Sequence, residues 1–205
     1  MAQIAPTKGN LMATRKSLEL SELGYDLLDR KRNILMREMM RLIDRATDVQ
    51  TRIYTTFEEA YAALQKANLT MGFYDDSMLN TPVENGLEID TRSVMGVELP
   101  TVHLHSESVA DYPFTQTNSL FDRACQRFQE AKVLLAELAE VESSVYLLAN
   151  AIRKTQKRAN ALKNVLIPQF EETVKEISEA LDEKEREDFT RLKVIKRQKE
   201  NRETE

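Results

Sequence analysis

Apolar side chains recur along the first seventy residues in alternating steps of three and four. The run is Leu11, Thr14, Leu18, Ser21, Tyr25, Leu28, Arg32, Leu35, Met39, Leu42, Ala46, Val49 and Ile53. Steps averaging about 3.5 residues put one stripe on one side of a helix and predict a left-handed coiled coil. After Ile53 the stripe slips to Phe57, Tyr61, Leu64 and Met71, a four-residue step expected to unwind the coil locally. The last third of the chain repeats the rhythm. It runs Ala124, Phe128, Ala131, Leu135, Leu138, Val141, Val145, Leu148, Ile152, Thr155, Ala159, Leu162, Leu166, Phe170, Val174, Ile177 and Leu181. Two such stripes on one chain pair most simply with each other, which predicts an all-α fold built on an antiparallel two-helix coiled coil. Helices of about 60 and about 80 residues would reach roughly 90 and 120 Å, a rod.

Helix breakers divide the chain. Gly72, Pro82, Gly86, Gly96, Pro100 and Pro113 cluster between the two stripes, while only Gly24 and Pro168 interrupt the stripes themselves. The expected organisation is a helix over 1–71, an insert over 72–116 and a second helix with a polar tail over 117–205, forming one structural unit. Within the insert, Ile89, Val94, Val97, Leu99, Val102 and Leu104 alternate as strand residues do. They predict a small β-hairpin over about 87–104, with Thr91-Arg92-Ser93 as its turn and Pro100 on an edge. Pro168 lacks the N–H that would reach Asn164 and is expected to bend the second helix.

Composition agrees with long helices. The 205 residues include 5 Gly, 5 Pro and no Trp, and 6% are aromatic, too few turns for a sandwich, barrel or doubly wound sheet. The net charge of −5 offers no general attraction to nucleic acid or an anionic membrane. The charge is concentrated in the insert: Asp75, Asp76, Glu84, Glu88, Asp90, Glu98, Glu107 and Asp111 face Arg92 alone, which predicts a separate surface and partner there. The opening MAQIAPTKGNLMATRK has no apolar signal-peptide core, and no run approaches the length of a membrane span. One cysteine, Cys125, fits a reducing compartment, and the expected location is cytoplasmic.

Chemistry is sparse. No glycine loop precedes a Lys-Ser or Lys-Thr pair, so no phosphate cradle is expected. Cys125 neighbours the stripe and reads as a small buried hydrophobe rather than a nucleophile. His103, His105 and Glu107 would share one strand face, a solvated polar row or a metal site lacking a fourth ligand. Neither catalytic residues, nor a cofactor, nor a metal is predicted. From Ser143 to Phe170 there is no acid, while Arg153, Lys154, Lys157, Arg158 and Lys163 are basic. That band is either a solvated face or a docking surface for an acidic protein.

Three segments carry a resemblance. They are PTKGNLMATRKSLELSELGYDLLDRKRNIL at the start, KRANALKNVLIPQFEETVKEI in the second helix, and LDEKEREDFTRLKVIK after it. Their order and spacing, with SVMGVELP in the insert between, resemble the D subunit of the V-type and A-type rotary ATPases. The resemblance implies a non-catalytic central-stalk rotor component, cytoplasmic and peripheral to a membrane-bound complex. Its partners would be catalytic A and non-catalytic B subunits, the F subunit of the stalk, and a funnel-like subunit on the membrane rotor ring. ATP turnover would be coupled through it to proton or sodium translocation. On that reading Lys8, Arg15, Lys16, Arg191, Lys193, Lys196 and Arg197 are candidate contacts to the hexamer. The basic band Arg153, Lys154, Lys157, Arg158 and Lys163 would serve a bearing or the F subunit. The competing expectations are a coiled-coil scaffold and a prefoldin-like chaperone arm; the latter fits poorly with the polar ending IKRQKENRETE.

Overall fold

A computed structural model describes residues 5–72, 85–105 and 117–203, with side chains as far as 199. Helix α1 spans Lys8–Met71, strands β1 and β2 span Leu87–Val94 and Val97–Leu104, and α2 spans Ser119–Ala161. A π-helical turn at Leu162–Leu166 joins α2 to α3, Ile167–Glu203. The fold is all-α with one small antiparallel hairpin between the long helices.

The helix ends are written locally. The Thr7 hydroxyl accepts the Asn10 N–H at 3.2 Å and caps the start of α1. Gly72, at φ 78°, closes the other end, its N–H reaching the Asn68 carbonyl. Asn118 caps α2, its side-chain oxygen accepting N–H groups of Leu120 and Phe121 at 3.1 and 3.0 Å. The same amide donates to the Thr70 hydroxyl at 2.7 Å, tying the end of α1 to the start of α2.

The chain forms two compact units, residues 33–153 and residues up to 32 together with those from 154. In the 33–153 unit α1 and α2 run antiparallel. Arg45 meets Glu137, Phe57 meets Phe128, and Thr70 meets Asn118. Leu35, Leu42, Leu99, Val141 and Leu148 form the core, flanked by Met39, Val94, Val97 and Val145. Towards the end of α1 the buried seam becomes alanine: Ala60 and Ala67 on α1, Ala124 and Ala131 on α2.

The expected slip after Ile53 is met in part. Phe57, Leu64 and Met71 are half-buried, but Tyr61 is 55% exposed and the fully buried positions there are Ala60 and Ala67. Alanine marks a seam of small side chains, and a tyrosine is too large for it. Tyr61 sits on the flank instead, edge-on to Phe128 at 5.4 Å. A second shift is smaller: Leu134 is buried where the stripe predicts Leu135, and Leu135 is 45% exposed.

In the other unit α1 and α3 are also antiparallel, with Lys8 against Glu185 and Gly24 against Leu162. Thr14, Thr155, Ala159 and Ile177 are its buried positions. From Asp182 to Lys199 every residue of α3 is exposed.

The interruption at Pro168 takes the form of the π turn. Ile167 donates its N–H to the Leu162 carbonyl, five residues back. A wider turn suits the position, because in a regular α-helix the ring of Pro168 would clash with the Asn164 carbonyl. The stripe records the inserted residue as three successive four-residue steps, Leu162 to Leu166 to Phe170 to Val174.

The hairpin lies at 87–104, but its turn is not Thr91-Arg92-Ser93, which falls inside β1. The chain reverses at Met95 and Gly96, with φ of 51° and 76°. Two positive φ values match the right-handed twist of a two-residue hairpin; Gly96 adopts this freely, and Met95 bears the strain.

Candidate functional site

The hairpin is held to the helices by packing and by two acids. Leu99 is fully buried in the core of its unit. Burying a leucine stabilises by about 1.5–3 kcal/mol, enough to anchor two strands that would be marginal alone. Glu140 on α2 accepts the Val102 backbone N–H at 2.8 Å through Oε2 and lies 3.9 Å from Arg45 through Oε1. Arg45 also grips Glu137, its Nε and Nη2 at 3.1 and 2.7 Å from one oxygen. Arg92 on β1 reaches back to Glu38 on α1 at 3.1 Å. Both arginines thus pair with acids of the helices, Glu38, Glu137 and Glu140, and not with the acids of the insert.

His103 and His105 lie on one strand face, as expected. Their neighbours across the hairpin are Asp90 at 4.0 Å and Glu88 at 3.7 Å. Glu107, the third member of the expected row, lies outside the described residues, as do Asp75, Asp76, Glu84 and Asp111 of the acidic insert. Among the described residues no group of three or more His, Cys, Asp and Glu is placed to hold a metal. Cys125 is half-buried on α2.

The basic residues are on the surface. Arg153, Lys154, Lys157 and Arg158 are exposed along α2. Lys163 lies in the π turn with its ammonium 5.5 Å from the Tyr25 ring centre, a cation–π contact. The terminal set is not a cluster. Lys8 pairs with Glu185 at 2.8 Å, and Arg191 lies 3.7 Å from Glu187 on its own helix. Counted from the Lys8–Glu185 pair, Lys16 and Arg197 diverge along the two helices, stringing the set over roughly 30 Å. The ammonium of Lys8, first by hydrogen bond and then by charge, holds the Glu185 carboxyl below its ordinary range. Glu185 raises Lys8 in the same way.

A second set of positions lies outside both stripes. Leu20, Leu23 and Leu27 are each more than half exposed on α1, away from the seam. Phe189, Leu192, Val194 and Ile195 are exposed on α3. The steps of three and four from Leu20 to Leu23 to Leu27 are present in the sequence as a further stripe. A shallow groove lined by Glu183, Arg186, Thr190 and Val194 runs along α3 alone and encloses nothing.

A family model described as the ATP synthase D subunit matches residues 10–197. The V-type ATP synthase D subunit of Thermotoga neapolitana is 43% identical over 196 residues, covering 94% of this chain and 97% of that one. The chain belongs to the ATP synthase D-subunit family. The D subunits of A-type ATP synthases are similar as well. That of Methanobrevibacter smithii is 37% identical, over 94% of this chain and 86% of its own. That of Pyrococcus horikoshii is 34% identical, over 95% and 94%. The family match takes in the hairpin, the π turn and both long helical stretches of this D-family chain. Among the described residues, no helix of it is long and apolar enough to cross a membrane.

Proposed function

We propose that this chain is the central-stalk rotor component of a V/A-type ATP synthase. It is non-catalytic and carries motion between a catalytic hexamer of A and B subunits and a membrane rotor. The F subunit and a funnel-like subunit on the rotor ring are its other partners, and it works at the cytoplasmic face, peripheral to the membrane. The observation that carries the reading is the family match along nearly the whole chain.

The physical side of the reading is straightforward. Helices whose apolar seam interlocks resist sliding, so a turn applied to one part is passed along the pair. Contacts that must break at each step are better made by solvated Lys and Arg than by a large apolar patch. The exposed residues Lys8, Arg15, Lys16, Arg191, Lys193, Lys196 and Arg197 are proposed to face the hexamer. Arg153, Lys154, Lys157, Arg158 and Lys163 are proposed to face a bearing or the F subunit, and the π turn before Pro168 sets their phase relative to α3. An asymmetric rotor that touches three similar interfaces unequally biases each toward a different state, which is coupling by differential contact energy.

Native mass spectrometry of the chain mixed with an A–B hexamer, with and without the F subunit, tests the proposal. One copy per hexamer, with a change in ATPase rate on binding, is the expected result. A self-paired dimer indifferent to the hexamer would refute it and favour a scaffold.

A further inference from the structure

The hairpin has two outer edges, and only one is finished. The register pairs Gly86 with His105 through the His105 N–H, at 2.8 Å, and residues 88, 90, 92 and 94 follow as the pairs that exchange ladder bonds. The backbone groups of Leu87, Ile89, Thr91 and Ser93 on β1, and of Glu98, Pro100, Val102 and Leu104 on β2, therefore point outwards. On β2 that edge is blunted: Pro100 has no N–H to offer, and the Val102 N–H is taken by Glu140. On β1 nothing comparable is present. Leu87 to Ser93 are all exposed, and among the described residues no hydrogen bond reaches the outward groups of Leu87, Ile89, Thr91 or Ser93. The eight-residue strand carries neither Pro nor a bulge, and its charged side chains, Glu88, Asp90 and Arg92, are all on one face.

The two faces beside this edge differ. One presents Leu87 and Ile89, 50% and 64% exposed. The other presents Glu88 and Asp90, with His105 and His103 beside them across the hairpin, and Arg92 occupied by Glu38. We infer that β1 is a docking edge for an added strand from a protein partner whose side chains alternate between apolar and basic. The partner's backbone completes the ladder at Ile89 and Thr91, its apolar residues cover Leu87 and Ile89, and its Lys or Arg residues meet Glu88 and Asp90. The edge belongs to the hairpin itself, whatever complex the chain joins.

The test is residue-resolved amide hydrogen exchange on the full chain, with a synthetic nonapeptide of alternating Lys and Val as probe. In the chain alone, the Ile89 and Thr91 amides should exchange fast, and those of Glu88, Asp90 and Arg92 slowly. Saturating Lys/Val peptide should slow Ile89 and Thr91 at least tenfold, and a Glu/Val peptide should not. Ile89→Pro removes one outward N–H and no ladder bond, as Pro100 does across the hairpin, and should weaken binding at least tenfold with the inward amides still slow. The double variant Glu88→Lys, Asp90→Lys leaves the backbone intact and should reverse the preference toward the Glu/Val peptide. Outward amides already slow in the free chain would overturn the inference, because part of the chain itself then covers the edge. Unchanged exchange with the Lys/Val peptide, or a double variant with unchanged preference, would overturn it too.

Discussion

The Lys8–Glu185 pair shows how much a single contact can and cannot do. Both side chains are largely exposed, so solvent and salt screen the attraction. Its direction is still definite. The Glu185 carboxyl is held low, so the pair's contribution is complete at neutral pH and fades as pH falls through that lowered value. Lys8 is held high, so on the alkaline side the contribution persists until pH rises past that raised value. Carboxyl NMR should find Glu185 titrating at higher pH in Lys8→Met than in the unaltered chain. The difference should shrink near 1 M salt, where the screening length is about 3 Å. Equal midpoints in the two chains would show that the pair is not formed in solution. Glu140 is the opposite case: its carboxylate is mostly covered and serves both a strand N–H and an arginine, a role that no spacing rule in the sequence assigns.

Among the elements, the long helices are legible in the sequence and their details are not. Both stripes fall on buried or half-buried positions almost throughout, because burial on a helix follows the period of its backbone. The departure at Tyr61 has a steric cause. A pattern of apolar letters favours large side chains, whereas a tight seam selects small ones; the pattern points to Tyr61 where Ala60 is buried. The hairpin turn departs for a related reason. Thr91-Arg92-Ser93 is polar, but reversal needs positive φ, and the glycine that permits it is Gly96. Gly24 makes a prediction at this scale. A Cβ placed there would stand 3.7 Å from Leu162 Cδ1, an ordinary contact, and α1 is helical at that point. Gly24→Ala should therefore stabilise the chain by about 0.5–1 kcal/mol, read as a shifted urea midpoint at constant slope. A loss of stability would mean that the approach beside the π turn is tighter than this spacing.

For the molecule as a whole, the rotor proposal depends on the exposed basic band. If the chain is a rotor, reversing Lys154, Lys157 and Arg158 to Glu should lower ATP-driven ion transport several-fold. Helicity by circular dichroism should stay as it was, since all three are exposed. Unchanged coupling would remove the band from the proposal without touching the family assignment.

The heptad rhythm and the breaker cluster between residues 72 and 113 were enough to specify long helices and an insert between them. Those properties depend on local periodicity, which one chain carries in full. The alanine seam, the π turn ahead of Pro168, the Met95–Gly96 reversal and the Glu140 clamp are fixed by how residues meet in three dimensions. Meetings of that kind are set by side-chain volume and backbone angles at the point of contact, and both are invisible until the helices and strands are brought together.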